Sequence, residues 1–590
     1  MFFFFNHADV FITPPENHNH SDEDSGEEDG GGSINNLSRN QLLATAVATV
    51  THHGGEIVAI GGIEGTSTSG PDTIRLPCND TSNTDCISVH NDSLPQKKAN
   101  RVWVKRDRPK SKLAPEWNGE TPKHLTEDLS PVELFELFFD DQVIEMIVEM
   151  SNLYALQKGK ANFSVTKPEM RVFLAILFIS GYVPLPRRRM FWENENDVIN
   201  QAVTQGMSIN RFEEIMSNIH CADNTNLPQG DKLGKMRPVF DLLNKRFLKF
   251  WPVEQNLDID EAMLPYYGRH SAKQFLRGKP ICWGYKIWCL NTHLGYLLQF
   301  DPYCGASPKY HPELGLGGSV VMSLIKSLPK DLNYRLYFDN FFPSLYLFDV
   351  LYSQHILATG TIRANRIEQC PLKAVDAMKK EERGSFDFRR EVSDSDLVIC
   401  RWNDNSVVTI ASTAFGVNTL QTARRWSRSQ KQHIEIVQTQ LVSNYNTYMG
   451  GTDRMDQNIG SYRIGIRSKK WWWPFFAFLP DVAMQNAWLL YRRSPAHKTK
   501  TLSLLDFRRE VVKTYILSYA SRPAIGRQMG KPQLLDKRVP LSVRRDGKEH
   551  LVDAIEKPRR CATCNKNTMY KCIKCEVGLH PRFCFRLFHC

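Results

Sequence analysis

At 590 residues the chain exceeds one ordinary domain, so several are expected. Its 42% hydrophobic content suffices for sizeable cores, and its net charge of +11 suits an anionic partner, of which nucleic acid is the commonest. No apolar run approaches the roughly 18 residues that cross a bilayer, which argues against a helical membrane protein and for no membrane partner.

Met1 to Phe5 is apolar but stops at Asn6, without a basic n-region or long h-region, so it does not read as a signal peptide. The expected setting is intracellular and reducing. There the 14 cysteines read as thiols and metal ligands instead of a disulfide framework.

Residues 1–115 read as disordered, first acidic and then basic. Residues 21–29 are SDEDSGEED, and residues 66–92 are rich in Ser, Thr, Gly and Asn. The charge then changes sign at Lys97, Lys98, Arg101, Lys105, Arg106, Arg108, Lys110 and Lys112. That stretch fits a nuclear-import signal, a phosphate patch or a solvated linker.

Residues 125–255 read as a helical domain. Ser130, Pro131 and Glu133 form an N-terminal signature. Leu134, Leu137, Phe138, Val143, Ile144, Ile147 and Val148 follow at helical spacing. Further helices are expected over 170–181, 209–221 and 237–250. Between them Arg187, Arg188 and Arg189 stand beside aromatic residues. Guanidinium forks suit DNA phosphates, although such a run is more often a surface patch.

From 256 to 362 the expected order is strand, strand, strand, helix, strand, helix, strand, an α/β sheet domain. Residues 363–435 read as an inserted, mostly β subdomain, with strand-like runs at 397–402 and 407–412. Residues 436–457 return to the sheet domain. A second helical part follows at 458–530, with Lys469 and Lys470 inside a helix reaching about Arg493 and available to DNA. A basic linker is expected over 531–557 and a Cys/His-rich module over 558–590.

Three acidic sites stand out. In Leu257-Asp258-Ile259-Asp260-Glu261, strand alternation puts Asp258 and Asp260 on one face. Asp339 closes an apolar strand, where α/β sheets hold ligands. Asp453 and Asp456 share a helix face behind Gly450-Gly451, which permits close approach. Mg²⁺ and Mn²⁺ are hard ions that prefer such carboxylate oxygens. A pair of them about 4 Å apart promotes in-line phosphoryl displacement. Singly, each aspartate has an ordinary reading as a turn residue or a helix cap.

Ile259-Asp260-Glu261, Phe338-Asp339-Asn340-Phe341-Phe342 and Gly450-Gly451-Thr452-Asp453-Arg454-Met455-Asp456-Gln457 resemble the three acidic blocks of piggyBac transposases. Tyr267-Gly268-Arg269, Arg277-Gly278-Lys279-Pro280, Gly284-Tyr285-Lys286 and the 186–193 motif most resemble the domesticated animal branch, the piggyBac transposable element-derived proteins. The resemblance covers roughly 125–590. It implies an RNase H-like catalytic domain with a β-rich insertion, a split helical DNA-binding and dimerisation domain, and a C-terminal zinc module. It also implies that Asp260, Asp339 and Asp453 are metal-binding catalytic carboxylates, with Asp456 accessory. Asp258 is not a family position and is expected at most to support the others. Thr452 stands where Val is usual.

The implied activity is DNA cleavage and transfer at transposon ends, with insertion at TTAA, by a nuclear homodimer. The competing reading is a domesticated sequence-specific DNA-binding or chromatin protein that no longer transposes. A third class, a zinc-containing transcription regulator with an unrelated central domain, does not account for the set of blocks.

Six of the 14 cysteines fall within 561–590. Cys561-x2-Cys564 and Cys572-x2-Cys575 are zinc knuckles by spacing, followed by His580, Cys584, His589 and Cys590. Either four thiolates complete one Zn²⁺ site and the later residues a second, or the pairs interleave in a cross-brace. So short a module needs metal to fold. The resemblance implies that it binds transposon ends; a protein-interaction module of the RING or PHD kind is the alternative.

Overall fold

The computed structural model describes strands His7–Ile12 (β1), Ala46–Thr51 (β2) and Ile57–Ile60 (β3), residues 94–109, and most of 117–520. Within 117–520 it omits 121, 124–126, 194, 196, 277–280, 306–310, 429 and 498–500. It also describes residues 544, 545, 547 and 550–589. Two compact units divide the chain, Met1–Ala520 and Ser521–Cys590. Among the described residues no helix is long and apolar enough to cross a membrane.

The expectation of disorder throughout 1–115 is corrected at two places. β1, β2 and β3 pair antiparallel. Trp103–Val104 (β4) forms the edge of the main sheet. Lys98, Arg101 and Lys105 of the basic stretch form internal ion pairs, while Lys110 and Lys112 lie outside the described residues. Arg101, with its side chain 2% exposed, meets Asp349 at 2.5 Å and Glu368 and Glu391 at 2.8 Å. Lys98 shares two of these partners. Arg108 donates to the Thr413 carbonyl.

The helical part begins with Pro131–Glu136 (α1), where Ser130 and Glu133 form a reciprocal capping box. The apolar stripe then divides, because Asp140 accepts from the Val143 N–H and starts a new helix, Asp141–Gln157 (α2). Lys167–Tyr182 (α3), capped by Thr166 and Glu169, is buried from Met170 to Ser180 and is therefore a core helix. Gln201–Gly206 (α4), Ile209–Asn218 (α5) and Arg237–Lys249 (α6) complete this stretch.

The sheet follows as Asn256–Pro265 (β5), Lys273–Phe275 (β6), Trp283–Thr292 (β7), Leu297–Pro302 (β8), Gly315–Ile325 (α7), Arg335–Phe338 (β9), Leu345–Ser353 (α8) and Leu357–Thr361 (β10). The spatial order is β8-β7-β5-β9-β10. β7 runs antiparallel to β5 and to β8, whereas β9 and β10 run parallel to β5.

The inserted β subdomain is a correction. Val375–Met378 (α9) precedes Phe386–Glu391 (β11), Val398–Asn403 (β12) and Val407–Ser412 (β13), and these strands extend the same sheet from β10 instead of forming another. The outer edge of β10 supplies the reason: its hydrogen-bonding groups are satisfied by β13. Only the hairpin Gln421–Ser427 (β14) and Gln432–Gln438 (β15) is separate, over a small core with Trp402 and Val442.

Gln440–Tyr448 (α10) and Gly451–Ser461 (α11) lead to Trp473–Arg493 (α12) and Leu504–Tyr519 (α13). Residues 462–472 are not helical, so Lys469 and Lys470 precede α12 instead of lying within a helix. The last two helices return to the first. Arg508 meets Asp481 at 2.6 Å, both side chains buried, and Tyr515 donates to Glu136 at 3.1 Å. Phe135 packs edge-on against Phe178 and Tyr515.

Candidate active site and cysteine-histidine centres

β5 and β9 bring two of the acids together through sheet register. Ile259 pairs with Phe338, so one step further along these parallel strands Asp260 and Asp339 stand side by side. Adjacent strands are about 4.8 Å apart. Asp260 accepts from the Glu261 N–H at 2.8 Å. Asp339 accepts from the Phe341 N–H at 2.9 Å, a turn contact that bends the chain away after the strand. Arg366, which nothing in the sequence singled out, holds that bend by donating to the carbonyls of Asn340, Phe341 and Pro343 at 3.1–3.4 Å.

α11 lays the other two acids on the same part of the sheet, with Asp453 exposed and Asp456 half-buried. The electrostatics follow this gathering. Burial, then the charges of Asp339, Asp260 and Asp258, push the Tyr445 phenol up to about 12 against a Thr361 hydrogen bond. Burial, then Asp456, Asp260 and Asp258, raise the Cys289 thiol well above its ordinary value. Cys289 lies opposite Asp260 in the β5–β7 register. The acids thus share neighbours. Among the described residues, however, Asp260, Asp339 and Asp453 do not close to the 4.8 Å ligand spacing found in the tail.

The close approach of α11 rests on two glycines. A side-chain carbon on Gly451 would stand 2.0 Å from Asp258 Oδ1 and 2.2 Å from the Thr292 carbonyl. One on Gly295, in the turn after β7, would stand 3.0 Å from the Met455 nitrogen. Asp258 does share the face of Asp260, but α11 covers it completely. Its carboxylate accepts from the Thr452 N–H at 3.0 Å and the Thr452 hydroxyl at 3.1 Å. Burial is the main reason that its carboxyl rises to about 7, with the Asp453 charge adding to it and the Thr452 bonds opposing it. The signal for Asp258 was its place two residues before Asp260 in an apolar strand.

The basic residues divide. Arg187 and Lys469 are exposed. Arg189 pairs with Glu213 at 2.8 Å, and Arg188 reaches the same carboxylate at 3.8 Å. Lys470 donates to the Ser217 and Ile219 carbonyls at 2.9 and 3.1 Å, where it caps the C-terminus of α5. That internal use sets Lys470 apart from the exposed Arg187 and Lys469.

In the second unit Val552–Arg560 (β16) and Asn567–Cys572 (β17) form a hairpin, and Phe583–His589 (α14) closes the chain. Two ligand groups have all their donor atoms within 4.8 Å of one another. Cys561 and Cys564 join His580 and Cys584, whereas Cys572 and Cys575 join His550 and His589. The pairs interleave, and four thiolates do not share one centre. Cys590 lies outside the described residues.

His550 was missed because it lies within the expected linker, so the module starts earlier than 558. Its Nδ1 stands 3.5 and 3.6 Å from the Cys572 and Cys575 sulfurs. His580 donates from Nε2 to the Asn567 carbonyl, with Nδ1 3.4 Å from the Cys564 sulfur. His589 donates from Nδ1 to the Arg544 carbonyl at 2.9 Å. Such outer hydrogen bonds fix a ligating imidazole's tautomer. Burial works against the Cys561 thiolate, but backbone N–H groups of Cys564, Thr563 and His580 outweigh it and bring the thiol to about 6.

A family profile described as transposase IS4 matches residues 130–488. The chain is 43% identical over 483 residues to human piggyBac transposable element-derived protein 3, covering 81% of this chain and 80% of that protein. It is 38% identical over 502 residues to human piggyBac transposable element-derived protein 2, covering 83% and 82%. Its fold is similar to a solved piggyBac transposase synaptic complex with hairpin DNA. That match has a TM-score of 0.57 at 19% identity and covers 78% of this chain and 96% of that one.

Proposed function

The chain belongs to the piggyBac transposase family, and on that premise we propose that it is a DNA transposase. In this reading Asp260, Asp339 and Asp453 hold catalytic Mg²⁺ or Mn²⁺ and Asp456 assists. The observation that carries it is the parallel β5–β9 register that sets Asp260 beside Asp339, with α11 adding Asp453 and Asp456 to the same sheet. The order β8-β7-β5-β9-β10, with its two parallel neighbours on one side of β5, supports an RNase H-like catalytic domain.

The donor set fits the ions, since hard divalent cations take carboxylate oxygens. The chemistry they supply when bound is activation of an attacking oxygen and stabilisation of the departing one. The chain's own residues place the donors: the Asp339 turn and Arg366 fix one, and the docking of α11 fixes two.

The substrate is double-stranded DNA. Its net charge supports this, as does likeness to a transposase solved with hairpin DNA. Transposon ends, a TTAA target, a homodimer and nuclear action complete the proposal. The two Cys/His groups offer Cys3His and Cys2His2 donor sets, which suit structural Zn²⁺.

The test is Mg²⁺-dependent nicking of DNA carrying the inverted repeats expected on both sides of the reading frame. Nicking that Asp260→Asn abolishes supports the enzyme. Binding of those repeats without nicking by the wild-type chain in Mg²⁺ or Mn²⁺ would support the domesticated binder instead.

A further inference from the structure

We propose that Asp258 is a positioning residue for the acidic site, clamping the first turn of α11 to β5 and so setting where Asp453 stands. The inference rests on the metal-binding role proposed for Asp453. Asp258 is fully buried in the middle of a strand. A carboxylate is costly there unless its hydrogen bonds are made. The partners found for it all lie at the start of the helix that carries Asp453: the Thr452 N–H and hydroxyl, both on Oδ2, and the Gly451 N–H.

The Thr452 hydroxyl also lies 3.2 Å from Asn291 Oδ1, and Asn291 is the cross-strand partner of Asp258. Thr452 therefore sits over a two-strand seat. The Asn291 amide continues the seat to the Met455 sulfur at 3.4 Å and to the Gly295 carbonyl at 3.4 Å. Three elements, β5, β7 and the turn after β7, thus grip residues 452 and 455 on either side of Asp453. The first N–H groups of a helix lack intrahelical partners, so a carboxylate here fixes the helix start as a cap would. Its distance from Asp453 is one residue of helix, short enough for displacement to move the ligand.

The experiment uses the full chain with Asp258→Ala, Thr452→Val and the double variant. Hydrogen exchange is read on peptides spanning 450–456. Mn²⁺ half-saturation is read by electron paramagnetic resonance, counting only the ion lost in Asp260→Asn. Asp258→Ala should speed exchange in the first turn and raise the Mn²⁺ half-saturation about tenfold, as loss of an outer support does. Thr452→Val keeps the N–H and should raise it about threefold, within the worth of one hydrogen bond. The double variant should be no worse than Asp258→Ala, because both act through one contact.

Unchanged exchange in the first turn overturns the clamp, as does faster exchange with unchanged Mn²⁺ half-saturation. If Asp258→Ala does not fold, Thr452→Val decides by the same two readings. Wild-type chain that binds no such Mn²⁺, with exchange still accelerated in the variants, overturns the metal reading while the clamp stands.

Discussion

The acidic site and the cysteine-histidine tail solve one problem, gathering ligands, in opposite ways. The acids come from three separate stretches of chain and are placed by a sheet, a turn and a docked helix that rest on a continuous hydrophobic core. The tail draws its ligands from His550 to His589, and its core is little more than the ligands themselves, with Val577, Leu579 and Phe588. On the proposed function the difference teaches where each metal's energy would go: in the first to chemistry on a scaffold folded without it, in the second to folding itself.

The largest expected effect is on catalysis. Asp260→Asn, Asp339→Asn and Asp453→Asn should each lower nicking by more than about 100-fold, beyond the loss typical of outer-shell changes. The far-ultraviolet circular dichroism and melting of the first unit should stay as they are. Asp456→Asn should be milder. Full nicking by two of the first three would remove the site. Melting of the first unit in all three would instead make these carboxylates structural, and the contrast with the tail would fail.

Next is metal removal. Chelation should abolish the structure of the tail and leave the transition of the first unit in place, followed by circular dichroism and hydrogen exchange. Elemental analysis should give two Zn per chain, falling to one in His550→Ala, because the interleaved groups divide the ligands. Two Zn retained in His550→Ala would return the second centre to ligands that the sequence reading named.

A third prediction measures the scaffold itself. Arg508→Met leaves the buried Asp481 carboxylate without its 2.6 Å partner and should destabilise the first unit by about 3–5 kcal/mol in denaturant melts. Loss of under about 1 kcal/mol would mean that this ion pair adds little to the packing of α13 on α12.

What the sequence disclosed follows the same division. Elements written in local patterns were legible: the Ser130 capping signal, the strand that ends at Phe338, and the paired knuckles at Cys561 and Cys572. What depends on distant partners was not. Asp258 could be placed on the face of Asp260 but its burial under α11 could not be read, because alternation reports the face of a strand and not what covers that face. His550 carried no spacing signal, since β16 separates it from its cysteines. β11 to β13 read as their own subdomain because edge pairing with β10 is a matter of topology. Arg101 read as part of an import signal, a phosphate patch or a solvated linker because Asp349, Glu368 and Glu391 are remote in the chain.

The smallest effect concerns the basic residues, and it turns on the same distinction between a group spent internally and one left to a ligand. Arg187 and Lys469 are exposed, whereas Lys470 is committed to the Ser217 and Ile219 carbonyls. A cation on DNA phosphate releases counterions, so its loss lowers the slope of log affinity against log salt by about one. A cation used as a helix cap gives stability and no slope. Arg187→Ala and Lys469→Ala should each weaken binding to every duplex alike and flatten the slope by about one. Lys470→Met should leave the slope unchanged and lower the melting stability by about 1 kcal/mol, within the range for a charge at a helix C-terminus. A flattened slope in Lys470→Met, with no loss of stability, would show that its carbonyl contacts yield to phosphate when DNA binds. Unchanged slopes for Arg187→Ala and Lys469→Ala would put the DNA path elsewhere on the molecule.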